Sequence, residues 1–244
     1  VGVFGTTRPL TLEDAQALAR IPQVVAVEPI VVGNAQVEAE RRRRRTNVYG
    51  VGPQFPRVFT FEVAFGRFLP PDEPRSARAF AVLGNRLWHE LYGEATPLGQ
   101  RIRVGGDRYR VIGVMEPKGQ VLGFDIDDTV YIPAAKALEL FNREGLVEID
   151  VLYQAGADPD HVARGVRRLL SARHGREDFT ITTQKQMLEV LGSALDVVPF
   201  AAGALGGIPP PLRAVGLPPV LPTPVRARTP ELLPLPAPAP SRRP

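Results

Sequence analysis

Apolar positions recur at helical spacing in several short stretches and alternate or cluster between them, so the chain reads as short helices set among many short strands. Thr11 followed by Asp14 has the form of a capping box, and Leu12, Ala15, Leu18 and Ala19 then make one apolar helical face that Pro22 ends. Val24–Val27 reads as a short buried strand. Val31–Glu38 and Thr46–Val51 read as the arms of a β-hairpin, with the arginine run Arg41–Arg45 at or near its tip. Phe55–Leu69 is aromatic-rich without a clear period and is expected to be irregular.

A denser unit follows. Ala79–Leu83 is a strand pattern, and Asn85 is placed to cap a helix over Arg86–Tyr92 that Gly93 stops. Gln100–Val104 and Arg108–Val114 are strands joined across Gly105-Gly106, both able to take the positive φ of a tight hairpin turn. Thr129–Ile132 is another strand, and Pro133 can open a helix running to Phe141. The last third reads βαβα. Val147–Tyr153 is followed by a helix with Asp158 as cap, Pro159 at its first position and Val162, Val166, Leu169 and Leu170 on one face up to Gly175. Phe179–Thr182 is the next strand, and Thr183 starts a helix with Met187, Leu188, Leu191 and Leu195 on its apolar face. Strands mixed with helices at this spacing predict an α/β or α+β sandwich.

Composition changes this picture at one end. About half of the 26 prolines lie after Gly207, and Ile208–Leu212 and Pro234–Pro240 have no periodicity. Proline fixes φ and lacks a backbone donor, so this tail is expected to be disordered. The 244 residues are enough for one large domain or two small ones, and the 44% hydrophobic and 23% charged fractions are ordinary. Cysteine is absent, which excludes thiolate metal sites and disulfides. No signal-peptide pattern is visible. No stretch reaches the ~18 apolar residues of a spanning helix, and the nearest, Val197–Ile208, is broken by Pro199.

The candidate chemistry is sparse. His89, His161 and His174 lack metal-ligand spacing, and His174 falls in a last helical turn, where an imidazolium suits the dipole. Asp125, Asp127 and Asp128 alternate as calcium ligands do, but the glycine and bidentate glutamate of an EF-hand loop do not follow, so a solvated loop is the better reading. Arg41–Arg45 could grip nucleic-acid phosphate or an anionic membrane surface; it lacks interleaved aromatics, and a net charge of +4 is modest for a nucleic-acid binder, so no nucleic-acid partner is expected. Alternating arginines also protect an exposed strand from edge pairing. Gly113, Gly119 and Gly123 spell no phosphate loop, and no serine stands in a nucleophile-elbow context. No catalytic, metal or cofactor site is expected.

From Val82 to Gly119 a strand leads into a short helix ending in Tyr92-Gly93, then Pro97-Leu98-Gly99, then a hairpin through Ile102–Val104 and Val111–Val114. This order of parts resembles the periplasmic core domain of MacB/FtsX-like ABC transporter permeases. The positions carrying it are Leu83, Gly84, Gly93, Pro97, Gly99, Ile102, Gly106, Val111, Ile112, Gly113 and Val114, all expected to be structural. Leu10–Pro29, Tyr49–Arg67 and Asp127–Phe141 are similar to flanking segments of the family, so the resemblance covers about Leu10–Asp196.

The resemblance implies an α+β fold with a porter-like βαβ layer, residues 1–54 and 127–197, and an inserted mixed α/β subdomain, residues 55–126, followed by the disordered tail, residues 198–244. It implies an extracytoplasmic domain without enzymatic activity or cofactor. ATP would be bound by a separate nucleotide-binding domain or subunit, and the domain would relay conformational change and dock partners during export. Implied partners are an ABC ATPase reached through membrane helices, a periplasmic adaptor protein and a second copy in a homodimeric permease. The alternative is a stand-alone extracytoplasmic protein-interaction module. Against the family pattern, the first membrane helix and the opening helix and strand of the porter layer are expected to be missing, leaving an exposed sheet edge. A reading-frame shift near Asp196–Gly207 is expected to replace the second membrane helix.

Overall fold

A computed structural model describes residues 1–5, 8–73, 76–121, 124–183 and 186. The helix expected beyond Thr183 and the proline-rich tail lie outside the described residues, although Thr183 and Gln186 exchange the two hydrogen bonds of a capping box.

The fold is α+β. The chain opens with β1 (Gly2–Gly5), α1 (Leu12–Leu18), β2 (Val24–Ala39) and β3 (Arg42–Val51). Next come α2 (Phe55–Phe59), β4 (Val63–Gly66), β5 (Phe80–Leu83) and α3 (Asn85–Tyr92), then the hairpin of β6 (Arg101–Val104) and β7 (Asp107–Met115). A small ribbon, β8 (Gln120–Val121) with β9 (Phe124–Asp125), leads into β10 (Thr129–Pro133) and α4 (Ala134–Leu140). The last described elements are β11 (Glu148–Tyr153), α5 (Pro159–His174) and β12 (Phe179–Thr182).

The strands follow the order β12-β1-β11-β2-β3-β10-β5-β7-β4. Because β6 pairs with both β2 and β7, the path β2-β3-β10-β5-β7-β6 closes on itself as a ring. β2 is one strand of 16 residues, where the pattern predicted two separate pieces. Residues 24–30 pair with β11, and residues 31–39 pair with β3. Pro29 does not divide it, because a proline fits a ladder wherever its missing N–H would point away from the partner strand. On that other side pairing with β3 begins only at Val31.

The side chains that alternate inward from the ring form one core. Val31, Val37, Val48, Leu83, Ile102 and Val130 are fully buried or nearly so, together with Leu87 of α3 and Ala137 of α4. Gly33 admits α4's neighbour: a Cβ there would lie 2.3 Å from the Phe141 ring. Val3, Leu18, Ile149, Val166 and Leu170 extend this core under α1 and α5. A second cluster gathers Phe55, Leu69, Val82, Met115 and Tyr131. Phe55 stands 4.7 Å from Phe59, centroid to centroid, and 5.2 Å from Tyr131. The segment expected to be irregular therefore contains α2 and β4. Its aromatics serve tertiary packing, which no local period reveals.

Local signals gave most of the remaining elements, with two corrections. The cap of α3 is Gly84, extended at ψ 154°, while Asn85 is already helical. The arginine run starts at the hairpin tip, as expected: the turn falls at Glu40 and Arg41, and Arg42–Arg45 continue into β3, each paired in register with β2. The opening strand expected to be missing is present, since β1 lies between β11 and β12 and pairs antiparallel with both. By contrast, the Thr11–Asp14 capping box and the Asp158 cap are as expected, as are the positive φ angles of Gly105 and Gly106 (59° and 105°).

Gly84 sits where β5 turns into α3, and a Cβ there would lie 2.3 Å from the Asp127 carbonyl oxygen. Backbone cannot yield as a flexible side chain can, so Gly84→Ala is expected to destabilise the domain by ~2 kcal/mol in urea unfolding. An unchanged midpoint would refute this close approach.

Candidate functional site

Three charged clusters and one groove are the places where function could reside. In the first, Arg44 of β3 reaches Asp128 with two parallel hydrogen bonds of 2.8 Å each, and Thr46 donates to the Asp128 carbonyl. Asp127 accepts from the backbone N–H groups of Lys118 and Gly119, both at 2.8 Å. Asp125 accepts from the N–H groups of Asp127 and Asp128, and Arg86 of α3 reaches it at 2.8 Å. The carboxylates that read as possible calcium ligands are thus taken up by protein donors. They bind the β9–β10 turn to β3 and α3. Among the described residues no group of three or more His, Asp or Glu side chains is arranged around a metal position.

The second cluster joins α1 to α5. The His174 side chain is 2% exposed, with Nδ1 at 2.9 Å from Asp178 and Nε2 at 3.1 Å from Asp14. Arg173 Nε donates to the other Asp14 oxygen at 2.5 Å. Burial alone would raise the Asp14 carboxyl, but donors from Arg173, Thr11 and His174 outweigh it and hold the carboxyl below its ordinary value. The His174 contact likewise holds Asp178 low. Asp14 caps α1 and simultaneously anchors the last turn of α5, so this histidine is a structural clamp. His89 and His161 are exposed surface residues.

The third cluster was not legible in the sequence. Glu28 lies in β2 just before that strand changes partners and is fully buried. One carboxyl oxygen accepts from Gly52 N–H, at the end of β3, and the other has no partner. Asp150 of β11 is directly opposite Glu28 in register, and Glu148 stands two residues away on the same face. Burial pushes the Glu28 carboxyl up to about 8 and Glu148 up to about 7, with Asp150 also raised. The only sequence hint was acidic residues interrupting apolar strand patterns.

Beside this joint lies a cavity of about 210 Å³ lined mainly by Leu12, Ala15, Val27, Pro29, Leu69 and Pro133. It collects residues from α1, β2, the segment after β4 and the start of α4.

The family-like positions lie in the core, in turns and at the ends of α3. Leu83, Ile102, Val111 and Val114 are buried core, and Ile112 packs on the second cluster. Gly84 and Gly93 bound α3, and Gly106 forms the hairpin turn. Pro97 and Gly99 shape the loop before β6, where Gly99 N–H donates to Val111 at 2.8 Å. Gly113 lies against the Arg67 carbonyl, 2.2 Å from where its Cβ would stand. They do not converge on a pocket.

The family model described as MacB-like periplasmic core domain matches residues 1–169. The macrolide export ATP-binding/permease protein MacB of Shewanella sp. (strain W3-18-1) is 32% identical over 83% of this chain and 33% of that protein. The pyoverdine export ATP-binding/permease protein PvdT of Pseudomonas savastanoi pv. phaseolicola (strain 1448A / Race 6) is 28% identical over 91% of this chain and 35% of its own length. The chain spans about a third of the length of the curated relatives it matches. In fold it is similar to the periplasmic region of MacB from Actinobacillus actinomycetemcomitans, with a TM-score of 0.67 at 20% identity over 78% of this chain and 91% of that one. It is also similar to the extracellular domain of the noncanonic ABC-type transporter YknZ from Gram-positive bacteria, with a TM-score of 0.63 at 18% identity over 75% of this chain and 99% of that one.

The two carboxyl clusters should titrate in opposite senses. The Glu28 value is raised on folding, so its contribution is intact below about 4.5 and is lost as pH climbs towards about 8. Glu28→Gln keeps an acceptor for Gly52 and is expected to flatten that loss, exceeding the parent at pH 8.5 by up to ~4 kcal/mol and nearly matching it at pH 5. A constant difference across this range would show that Glu28 does not titrate there. The Asp14 and Asp178 values are lowered, so their contribution is present above the ordinary carboxylate range and lost as pH falls through the folded values. His174→Ala removes one of the groups that hold these carboxyls low, so it should destabilise the domain at neutral pH and move acid unfolding to higher pH; an unchanged acid midpoint would remove the clamp.

Proposed function

Because this chain belongs to the MacB-like periplasmic core domain family, we propose that it is the extracytoplasmic core domain of an ABC transporter permease, relaying conformational change and docking partners during export. Residues 1–54 and 127–197 form the porter-like part in this reading, and residues 55–126 form the insert. ATP is hydrolysed by a separate ABC ATPase domain or subunit, the intact permease is a homodimer, and an adaptor protein meets the domain outside the cytoplasmic membrane. The domain carries no catalysis of its own.

The observation that best supports a relay is the continuity of β2. One strand paired in two ladders, with the Glu28–Gly52 hydrogen bond at the change of partner, transmits displacement between its ends without a flexible linker. The polar clusters tie elements to one another and do not converge on a reacting position.

The test softens β2 without removing a core side chain. Pro29 is only partly buried, and glycine frees φ at that position. In the intact permease, Pro29→Gly is expected to cut export severalfold while ATP hydrolysis and expression stay at the parent level. Export unchanged, or ATP hydrolysis lost in step with it, would contradict a relay through this strand. A gene lacking neighbouring membrane-helix and ATPase coding sequence would favour the stand-alone interaction module instead.

A further inference from the structure

The hairpin β6–β7 carries an arrangement that the fold itself does not use. Its register sets Arg101 opposite Arg110 and Arg103 opposite Arg108. Directly opposed residues of an antiparallel pair share a face, and like charges placed so are destabilising. On the neighbouring strands, Arg43 and Arg45 of β3 are in register with Glu38 and Gln36 of β2, and Glu38 is in register with Arg103. The six arginines therefore lie on one outward face of four adjoining strands, and all six are exposed. The residues alternating with them, Ile102, Val104, Tyr109 and Val37, are buried inside the ring.

Among the described residues none of these six guanidinium groups takes part in an ion pair or a side-chain hydrogen bond, and Glu38 is held instead by Gln36 at 2.6 Å. The contrast with neighbouring arginines is sharp. Arg44, between Arg43 and Arg45 but facing the other way, is paired with Asp128, and Arg78 and Arg86 are also paired with aspartates. Glu38 is the one carboxylate in register with these six arginines, so the face carries an excess of positive charge. Two opposed arginine pairs cost stability, and their natural counter-charge is external.

Three features select the occupant. No exposed apolar side chain stands among the arginines to enter a lipid layer, and no exposed aromatic is there to stack a base. Closure of the strand ring curves the face outward, so a flat bilayer would reach only its crown. Guanidinium forks spaced by strand register suit carboxylates, which they grip with two parallel hydrogen bonds, as Arg44 already grips Asp128. We propose that the outer face of the β6–β7 hairpin, extended by Arg43 and Arg45, is a docking surface for an acidic segment of a partner protein. The inference stands on register and charge, and holds for a permease domain and for a stand-alone module alike.

The test uses the full chain and fluorescently labelled decaglutamate as probe, titrated at low and at physiological salt. The combined variant Arg101→Gln, Arg103→Gln, Arg108→Gln, Arg110→Gln is expected to weaken binding about tenfold or more and to flatten its salt dependence. A control of equal charge, Arg20→Gln, Arg57→Gln, Arg164→Gln, Arg168→Gln, removes exposed arginines elsewhere and is expected to leave binding within about threefold. The thermal midpoint of the hairpin variant should stay level or rise, because two repulsive pairs are gone. A lowered midpoint would assign the arginines to the fold and overturn the proposal. So would equal weakening in both variants, or no binding by the parent. Tighter hairpin-dependent binding to vesicles of equal parts phosphatidylglycerol and phosphatidylcholine, or to duplex DNA, would replace the protein partner with a membrane or a nucleic acid.

Discussion

A strand can serve two sheets only if its backbone changes partners without stranding a donor or acceptor, and the architecture depends on how β2 meets that condition. Over residues 24–30 it belongs to the layer with β11, and from Val31 it belongs to the ring with β3. Pro29 has no N–H to satisfy, and Val147 N–H donates to the Ile30 carbonyl at 2.9 Å. Glu28 supplies the acceptor that Gly52 needs as β3 ends. Both helical layers are then placed by this strand: α1 packs on its first half, and α4 packs on its second half and on β3.

That joint is held under electrostatic strain. A buried carboxyl with one unpartnered oxygen, facing Asp150 across the ladder, is costly in its charged form, and the cost is relieved by keeping the proton. The opposite solution operates at the far side of the same layer, where His174 and Arg173 surround Asp14 and favour its charge. The two clusters have opposite pH dependences. Neither requires a ligand to explain it.

The arginines of β3 divide along the same line between inside and outside. Arg44 is tied to Asp128 by two short bonds in a half-buried setting, which gives it a geometric role in closing the ring. Arg43 and Arg45, its neighbours in sequence, have none. Alternation along a strand assigns adjacent residues of identical chemistry to different tasks, and only register shows which task each has.

From the sequence alone came the elements with local signatures: the Thr11–Asp14 box, the Asp158-Pro159 start and Gly175 stop of α5, and the glycine turn of β6–β7. These are decided within a few residues by caps, fixed φ and missing Cβ atoms, so a linear reading finds them. The continuity of β2, the ring closed by β6, the partners of Asp125–Asp128 and the burial of Glu28 came only from the tertiary structure. Each depends on which strand lies beside which, and residues more than 80 positions apart, such as Arg44 and Asp128, meet only once that choice is made.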